Sequence, residues 1–221
     1  MREYKTAIVI PCYNSWGLCN QLLMGLEKYE AENIDEVIIV DDASPEIGTL
    51  QTQLPLRLIR NLVNKGFTLT SNTGLMMASG TLAEKKIVFL ISTDVKVSGK
   101  FIEQTADILF DARRYFVGNR HIAFDSGWNT FDNKTFDYLE GWFLACTSDG
   151  WRDLGYFDPA YAPYDMEDID IATVAKSRGY KLVSLNSPNL THLGGGTIGF
   201  NRAREAITKK NKEYFRKKWM P

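Results

Sequence analysis

Four carboxylates fall within six residues in the stretch DMEDID, Asp165 to Asp170, directly after the aromatic and proline run YFDPAYAPY. Asp165, Glu167 and Asp168 lie at or just before a helix start, where carboxylates satisfy free N–H groups and the helix dipole. That role accounts for one or two of them. Tyr156, Phe157, Tyr161 and Tyr164 precede them, with faces that suit sugar rings and apolar walls that raise a carboxylate's pKa toward the range of a general base. Two further acidic sites end apolar runs. Asp41 and Asp42 follow VIIV, where they either cap the turn DDASPE or bind the base or ribose of a nucleotide. Asp94 follows KIVFLI and Ser92-Thr93, and one such carboxylate suffices for a hard divalent cation when a diphosphate supplies the other oxygens. His192, in LTHLGGGTIGF, is either a structural histidine or a nitrogen ligand beside glycines that let a ligand approach the backbone.

The elements that must position these groups alternate. An apolar run at Ala7–Ile10 stops at Pro11, and Leu18, Leu22, Leu23 and Leu26 then recur at helical spacing, so the chain opens strand, loop, helix. VIIV, LRLIR, a helix over Thr68–Ser79 and KIVFLI follow. Continuous apolar strands alternating with helices predict an α/β fold with a mostly parallel central sheet, buried on both faces. Ligands of such sheets sit at the carboxyl ends of the strands, where PCYN, DDAS and STD all fall. A dinucleotide-binding dehydrogenase is excluded at its diagnostic place, because PCYNSWG replaces G-x-G-x-x-G after the first strand. From about Phe101 the pattern is less regular and aromatic, until a helix over Glu167–Ser177 ends at Gly179, a C′ cap, and leads into YKLVSL.

The 221 residues are 44% apolar and 24% charged, enough for one large domain or two small ones. No apolar run reaches the length of a membrane span, and MREYKTAIVIPCYN has no small-residue cleavage site, so the expectation is a soluble, cytoplasmic protein. Cys12, Cys19 and Cys146 lack metal-finger spacing and are expected to be reduced. The net charge of −1 conceals a basic segment, residues 201–221, in which eight Lys and Arg face two Glu. This segment is either a solvated helix face or a patch for an anionic membrane surface or acidic polymer, and a membrane patch would hold the protein at the membrane periphery.

IVIPCYNS, VIIVDDAS, NKGFTLTSNTGL, FLISTDV, GYFDPAYAPYDMEDIDIATVAKSRGYKLV and THLGGG follow one another in the order and spacing of the family 2 glycosyltransferases with the GT-A fold. The resemblance runs from Ala7 to about Phe200. It implies a single Rossmann-like α/β/α domain over residues 1–200, with a nucleotide-sugar half (1–98) and an acceptor and catalytic half (99–200), followed by a basic helix at 201–221. It implies a nucleotide-sugar donor, usually a UDP-sugar, a Mn²⁺ or Mg²⁺ ion, and transfer to a hydroxyl with inversion. By position, Pro11, Tyr13, Asn14, Asp41, Asp42, Asn64, Lys65, Gly66, Asn72, Thr93 and Asp94 resemble the nucleotide-sugar set, with Gly74 in the helix that closes on it. Asp94 and His192 resemble the metal or diphosphate ligands, and Asp168, with Glu167 beside it, resembles the catalytic base. Gly141, Trp142, Tyr164 and Asp165 would line the sugar and acceptor. The sequence departs from the family pattern at Ser92, where an acidic residue or Asn is usual, and at Ser71, where a basic residue is usual, so Lys65 or Arg202 would supply a phosphate contact. The acceptor implied is a glycan, lipid-linked or other hydroxyl. Transfer to a modified nucleic acid base and a non-catalytic nucleotide-sugar-binding module are the alternatives, and the oligomeric state is left open.

Overall fold

The computed structural model describes residues 3–80, 85–111, 114–194 and 202–220. The strands are β1 (Lys5–Cys12), β2 (Glu36–Asp41), β3 (Leu56–Arg60), β4 (Lys86–Ile91), β5 (Val95–Val97), β6 (Tyr115–Gly118), β7 (His121–Ile122), β8 (Thr130–Phe131), β9 (Lys134–Thr135), β10 (Tyr138–Leu139), β11 (Phe143–Thr147), β12 (Lys181–Ser184) and β13 (Leu190–His192). The helices are α1 (Trp16–Glu30), α2 (Gly66–Ala78), α3 (Ile102–Leu109), α4 (Ser148–Leu154), α5 (Glu167–Ser177) and α6 (Arg202–Trp219).

Seven strands form one sheet in the order β12-β6-β11-β4-β1-β2-β3. All its pairings are parallel except those of β11, which runs antiparallel to β4 and β6. Successive side chains of a strand point to opposite faces, and helices cover both. Ile8, Ile10, Val37, Ile39, Ile87 and Phe89 pack with Leu22, Leu26 and Ile102 of α1 and α3. Ala7, Val9, Ile38, Val40, Val88 and Leu90 pack instead with Leu75, Trp151 and Ile171 of α2, α4 and α5. Strands buried on both faces explain why β1, β2 and β4 are unbroken apolar runs in the sequence. The sheet draws strands from both halves of the chain, with the first four elements of the order coming from residues on either side of 98.

A third apolar cluster lies beyond the sheet, where Ile122, Phe131, Phe136 and Tyr138 meet Tyr161, Met166 and Ile169 and the Phe215 side chain of α6. Phe215 stacks on Phe131 with ring centroids 5.0 Å apart and meets Phe136 edge-on. The basic terminal segment is therefore anchored by an aromatic pocket rather than lying wholly in solvent.

After β1, the chain builds β2 and β3 on one side, then returns to place β4 on the other. The reversal leaves a crevice between the carboxyl ends of β1 and β4, the expected place for a ligand. Helix α2 starts at Gly66, two residues before the predicted Thr68. Asp42 explains the shift, since its carboxylate accepts the backbone N–H of Lys65 (2.9 Å) and of Gly66 (2.8 Å) and so organises the first turn from outside the helix.

Candidate active site

The ends of β1, β2 and β4 are tied into one polar network. Ser15 and Thr93 share a hydrogen bond of 3.0 Å across the crevice. Asn14, in the left-handed region at φ 53°, donates its N–H to Ser44 Oγ (2.9 Å), and Ser44 donates to the buried carboxylate of Asp41. Arg60 stands 3.5 Å from the other oxygen of Asp41. Asp42 Oδ1 also accepts from Asn61 Nδ2 (2.8 Å). Both acidic residues thus serve the turn and loop that the sequence assigned to one of two roles, and Asp42 is fully engaged in holding the 64–66 loop. Pro11 is buried beside them, while Tyr13, Asn64 and Lys65 are exposed.

Two members of the predicted nucleotide set are turned to other work. The Asn72 side chain donates to Phe157 O (2.8 Å) and accepts from Phe157 N (3.0 Å), which fastens α2 to the loop after α4. Gly74 faces the sheet, where a Cβ would collide with Val9 Cγ1. Gly66 has a positive φ of 79° and lies against Pro163, so it brings α2 close to the loop that leads to the carboxylate cluster.

Next to this network a cleft is lined by Ser92, Asp94, His192, Gly141, Trp142, Tyr164 and the segment Asp165 to Ile169. The antiparallel strand β11 places it there, because Ser92 N donates to Trp142 O at 2.9 Å and so sets the 140–142 turn against the end of β4. Strands β5 and β13 pair with His192 opposite Val95, which puts His192 Nε2 3.3 Å from Asp94 Oδ2. The imidazole lies flat on Trp142, ring centroids 5.2 Å apart, and this stacking fixes its orientation. Of the glycines beside His192, Gly195 and Gly196 lie outside the described residues.

The four carboxylates of DMEDID separate into two pairs. Asp165 and Asp170 hold α6. Asp165 takes both ends of the Arg204 guanidinium, at 3.1 Å and 2.8 Å, and a third bond from Thr208. Asp170 accepts from Tyr161 Oη (3.0 Å), Lys218 Nζ (2.9 Å) and Trp219 Nε1 (2.7 Å). Asp165 was expected to meet a sugar hydroxyl; it edges the cleft, but its oxygens are already bound to α6. Glu167 and Asp168 face the cleft. The cap position of α5 is Met166, in the left-handed region with no side-chain bond, so of the four carboxylates it is Asp168, inside the first turn, that accepts a free N–H of the helix start, while the acidic first turn as a whole suits the dipole.

Asp168 is half-buried and accepts the N–H of Ile169 (2.8 Å) and of Gly141 (3.2 Å). Desolvation pushes its carboxyl up to about 7, against the two N–H groups and with help from the charge of Asp165. Glu167 is 7% exposed, and its Oε2 is buried without a hydrogen-bond partner among the described residues. Burial, then the neighbouring Asp168 charge, raises its carboxyl well above the usual range. Two adjacent carboxyl groups that resist ionisation make a proton-accepting site that works near neutrality.

Residues 7–171 match the sequence profile of Glycosyl transferase family 2. The chain belongs to that family. No curated protein matches it. Among solved structures it is similar to the mannosyltransferase PcManGT from Pyrobaculum calidifontis in complex with GDP-Man and Mn²⁺, at a TM-score of 0.58 and 19% identity, covering 81% of this chain and 54% of that one. It is also similar to S. aureus TarS (TM-score 0.57, 18% identity, 81% and 35% covered) and to GalNAc-T7 with UDP, GalNAc and Mn²⁺ (0.63, 12%, 82% and 43%). At these identities the likeness establishes the shared GT-A fold, and this family 2 chain spans about half or less of the length of those proteins.

Sequence reasoning missed Phe67, Trp128, Tyr138 and Glu140 of the family 2 domain, and Arg204 of α6 beyond it, as cleft residues. Glu140 was within sight in LEGWF; its Oε2 accepts from Trp142 Nε1 (2.8 Å) and holds the stacking wall. Arg204 replaces Arg202, which is exposed, as the basic residue of α6 that reaches the cleft. Nothing in the local sequence separates the two arginines, since only the docking of Phe215 decides which face of α6 turns inward.

Proposed function

We propose that this protein is an inverting glycosyltransferase that moves a sugar from a nucleoside-diphosphate sugar, in the first instance a UDP-sugar, to an acceptor hydroxyl. The observation that carries the proposal is the position of Asp168: a carboxylate tuned to about 7, fixed by Gly141 N–H, in the same cleft as Asp94 and His192. Asp168 in its ionised form takes the proton of the acceptor hydroxyl as that oxygen attacks the anomeric carbon. The bond from the anomeric carbon to the diphosphate oxygen breaks in the same displacement, so the configuration inverts and no covalent intermediate forms.

Among the described residues no group of three or more His, Cys, Asp or Glu side chains is gathered to hold a metal. A donor set of one carboxylate and one imidazole, Asp94 and His192, still fits a divalent cation whose other positions are filled by phosphate oxygens and water. A cation held there supplies Lewis-acid stabilisation of the departing diphosphate. The chain's own contribution is to orient His192 on Trp142 and to keep Trp142 in place through Glu140. Trp142 and Tyr164 serve as walls for the sugar rings, and Glu167, held uncharged, offers a hydroxyl hydrogen bond without adding a second negative charge beside the base.

Thermal unfolding in the presence of nucleoside diphosphates and their sugars, with and without Mn²⁺, tests the donor assignment. Ligand at about a hundred times its dissociation constant adds about 2.7 kcal/mol. A Mn²⁺-dependent rise for one base, abolished in Asp94→Ala, is the expected result; no rise with any of them counts against the proposal.

A further inference from the structure

A second cavity, of about 470 Å³, lies between α6 and the 128–131 segment. Its size falls within the range of ligand pockets. Trp128 and Arg204 line both this groove and the Asp168 cleft, so the two are continuous. The α6 wall is one helical stripe: Glu205, Thr208, Lys209, Lys212, Glu213 and Arg216 recur at spacings of three and four, on the same side of the helix. The adjoining face of α6, on which Asn211 and Phe215 follow Thr208 and Lys212 by three residues, is buried, so the stripe is held toward the groove at the edge of that contact.

The chemistry of the lining is specific. Trp128 presents an indole that is 36% exposed, and Lys212 Nζ sits 5.1 Å from its ring centroid while donating to Gly127 O at 2.9 Å. The groove therefore carries a part-exposed indole with an ammonium group over one face of its ring, and Thr130 adds a hydroxyl on the β8 side. Basic side chains outnumber acidic ones along the wall: Arg204, Lys209, Lys212 and Arg216 stand against Glu205 and Glu213. Arg204 is engaged with Asp165, and Arg216 with the exposed Asp132. Lys209 has no ion-pair partner among the described residues and is exposed.

Resting on the glycosyl-transfer proposal above, we infer that this groove is an acceptor subsite that takes a sugar chain bearing carboxylate or phosphate groups. A pyranose ring lies against the Trp128 indole, its acidic substituent meets Lys209 and Lys212, and the chain runs past Arg204 to present its terminal hydroxyl to Asp168. The concave shape and the aromatic platform favour a carbohydrate chain over a lipid surface. The exposed positions of α6 carry alanine or charged side chains and no large apolar ones, so the helix has nothing to bury in a bilayer.

The test uses an oligogalacturonate, a neutral malto-oligosaccharide of the same length, and phosphatidylcholine vesicles with and without phosphatidylglycerol, each titrated into the full chain by calorimetry. Two variants, Trp128→Ala and the double substitution Lys209→Ser with Lys212→Ser, are titrated alongside. The expected result is tighter binding of the acidic chain than of the neutral one, weakened about tenfold or more by either variant and by added salt. Equal binding of the two saccharides, binding confined to anionic vesicles, or acidic-chain binding insensitive to both variants would each overturn the inference. Hydrolysis of a nucleoside-diphosphate sugar by the unaltered protein, without acceptor, is followed separately. Hydrolysis without acidic-chain binding removes the groove assignment alone; absence of both donor binding and hydrolysis removes the transferase proposal on which it rests.

Discussion

The proposed chemistry converges on Asp168, and the environment of this residue sets two expectations with opposite consequences. Its charged form is disfavoured in the folded protein, so the fold binds a proton there that the unfolded chain releases near 4. Stability from this group is therefore full at low pH and declines as pH rises from about 4 through about 7. Replacing it by Asn removes the ionisation while keeping the shape. Asp168→Asn is expected to unfold at a higher temperature than the unaltered protein at pH 8, with the difference shrinking at pH 5, as calorimetry would show. The same variant should bind donor normally but transfer sugar at least about a hundredfold more slowly, the scale of a lost general base. Near-normal turnover would dismiss the assignment. In the unaltered protein, initial rates should climb with pH and reach half their plateau near 7, the value at which Asp168 ionises. A profile flat from pH 5 to 8 would point to a different base.

At the scale of elements, α6 acts on the cleft through the backbone that leads into α5. Asn211 is buried, and its Nδ2 contacts the carbonyl oxygens of Tyr161 (2.8 Å), Tyr164 (2.8 Å) and Asp165 (3.0 Å). Asp165 and Met166 both hold left-handed backbone, φ 73° and 78°, a conformation that side-chain-bearing residues adopt at a cost. The bonds from Asn211, Arg204 and Thr208 offset that cost and so determine where α5 begins. Asn211→Ala leaves those carbonyls without a donor and is expected to lose about 1–3 kcal/mol in urea unfolding. It should also lower the turnover rate more than it raises the donor KM, since the bonds lost position the base and not the nucleotide. An unchanged turnover rate would show that α5 keeps its start without this support. The sequence disclosed the +6 segment as a charged object but not its partners. DMEDID was legible as too acidic for capping alone, yet its division between cleft and α6 depends on contacts across more than thirty residues, which local spacing does not encode.

For the molecule as a whole, the sheet and its order of polar strand ends followed from apolar runs and their punctuation. β1, β2 and β4 were each visible as continuous hydrophobic segments, and the crevice beyond them was placed by PCYN, DDAS and STD. What the sequence did not show was the packing of residues whose neighbours come from another layer. Gly74 resembled part of a nucleotide-closing helix; it packs against Val9 of β1 and Val40 of β2, and Asn72 fastens α2 to Phe157. Gly74→Ala would force the added methyl into Val9 and to 3.1 Å from Val40 Cγ2. Overpacking of that kind costs about 1–3 kcal/mol, and a lower midpoint in urea is the outcome to look for. No loss of stability would mean that α2 can slide on the sheet.

The clasp between α6 and the loop before α5 also has a consequence in time. Translation delivers every strand of the large sheet, from β1 to β12, before it delivers Arg204, Thr208, Asn211 and Phe215. A growing chain on the ribosome can therefore complete its sheet while the segment bearing Asp168 still lacks its outer support. In chain order the scaffold is available before the helix that braces the segment bearing Asp168.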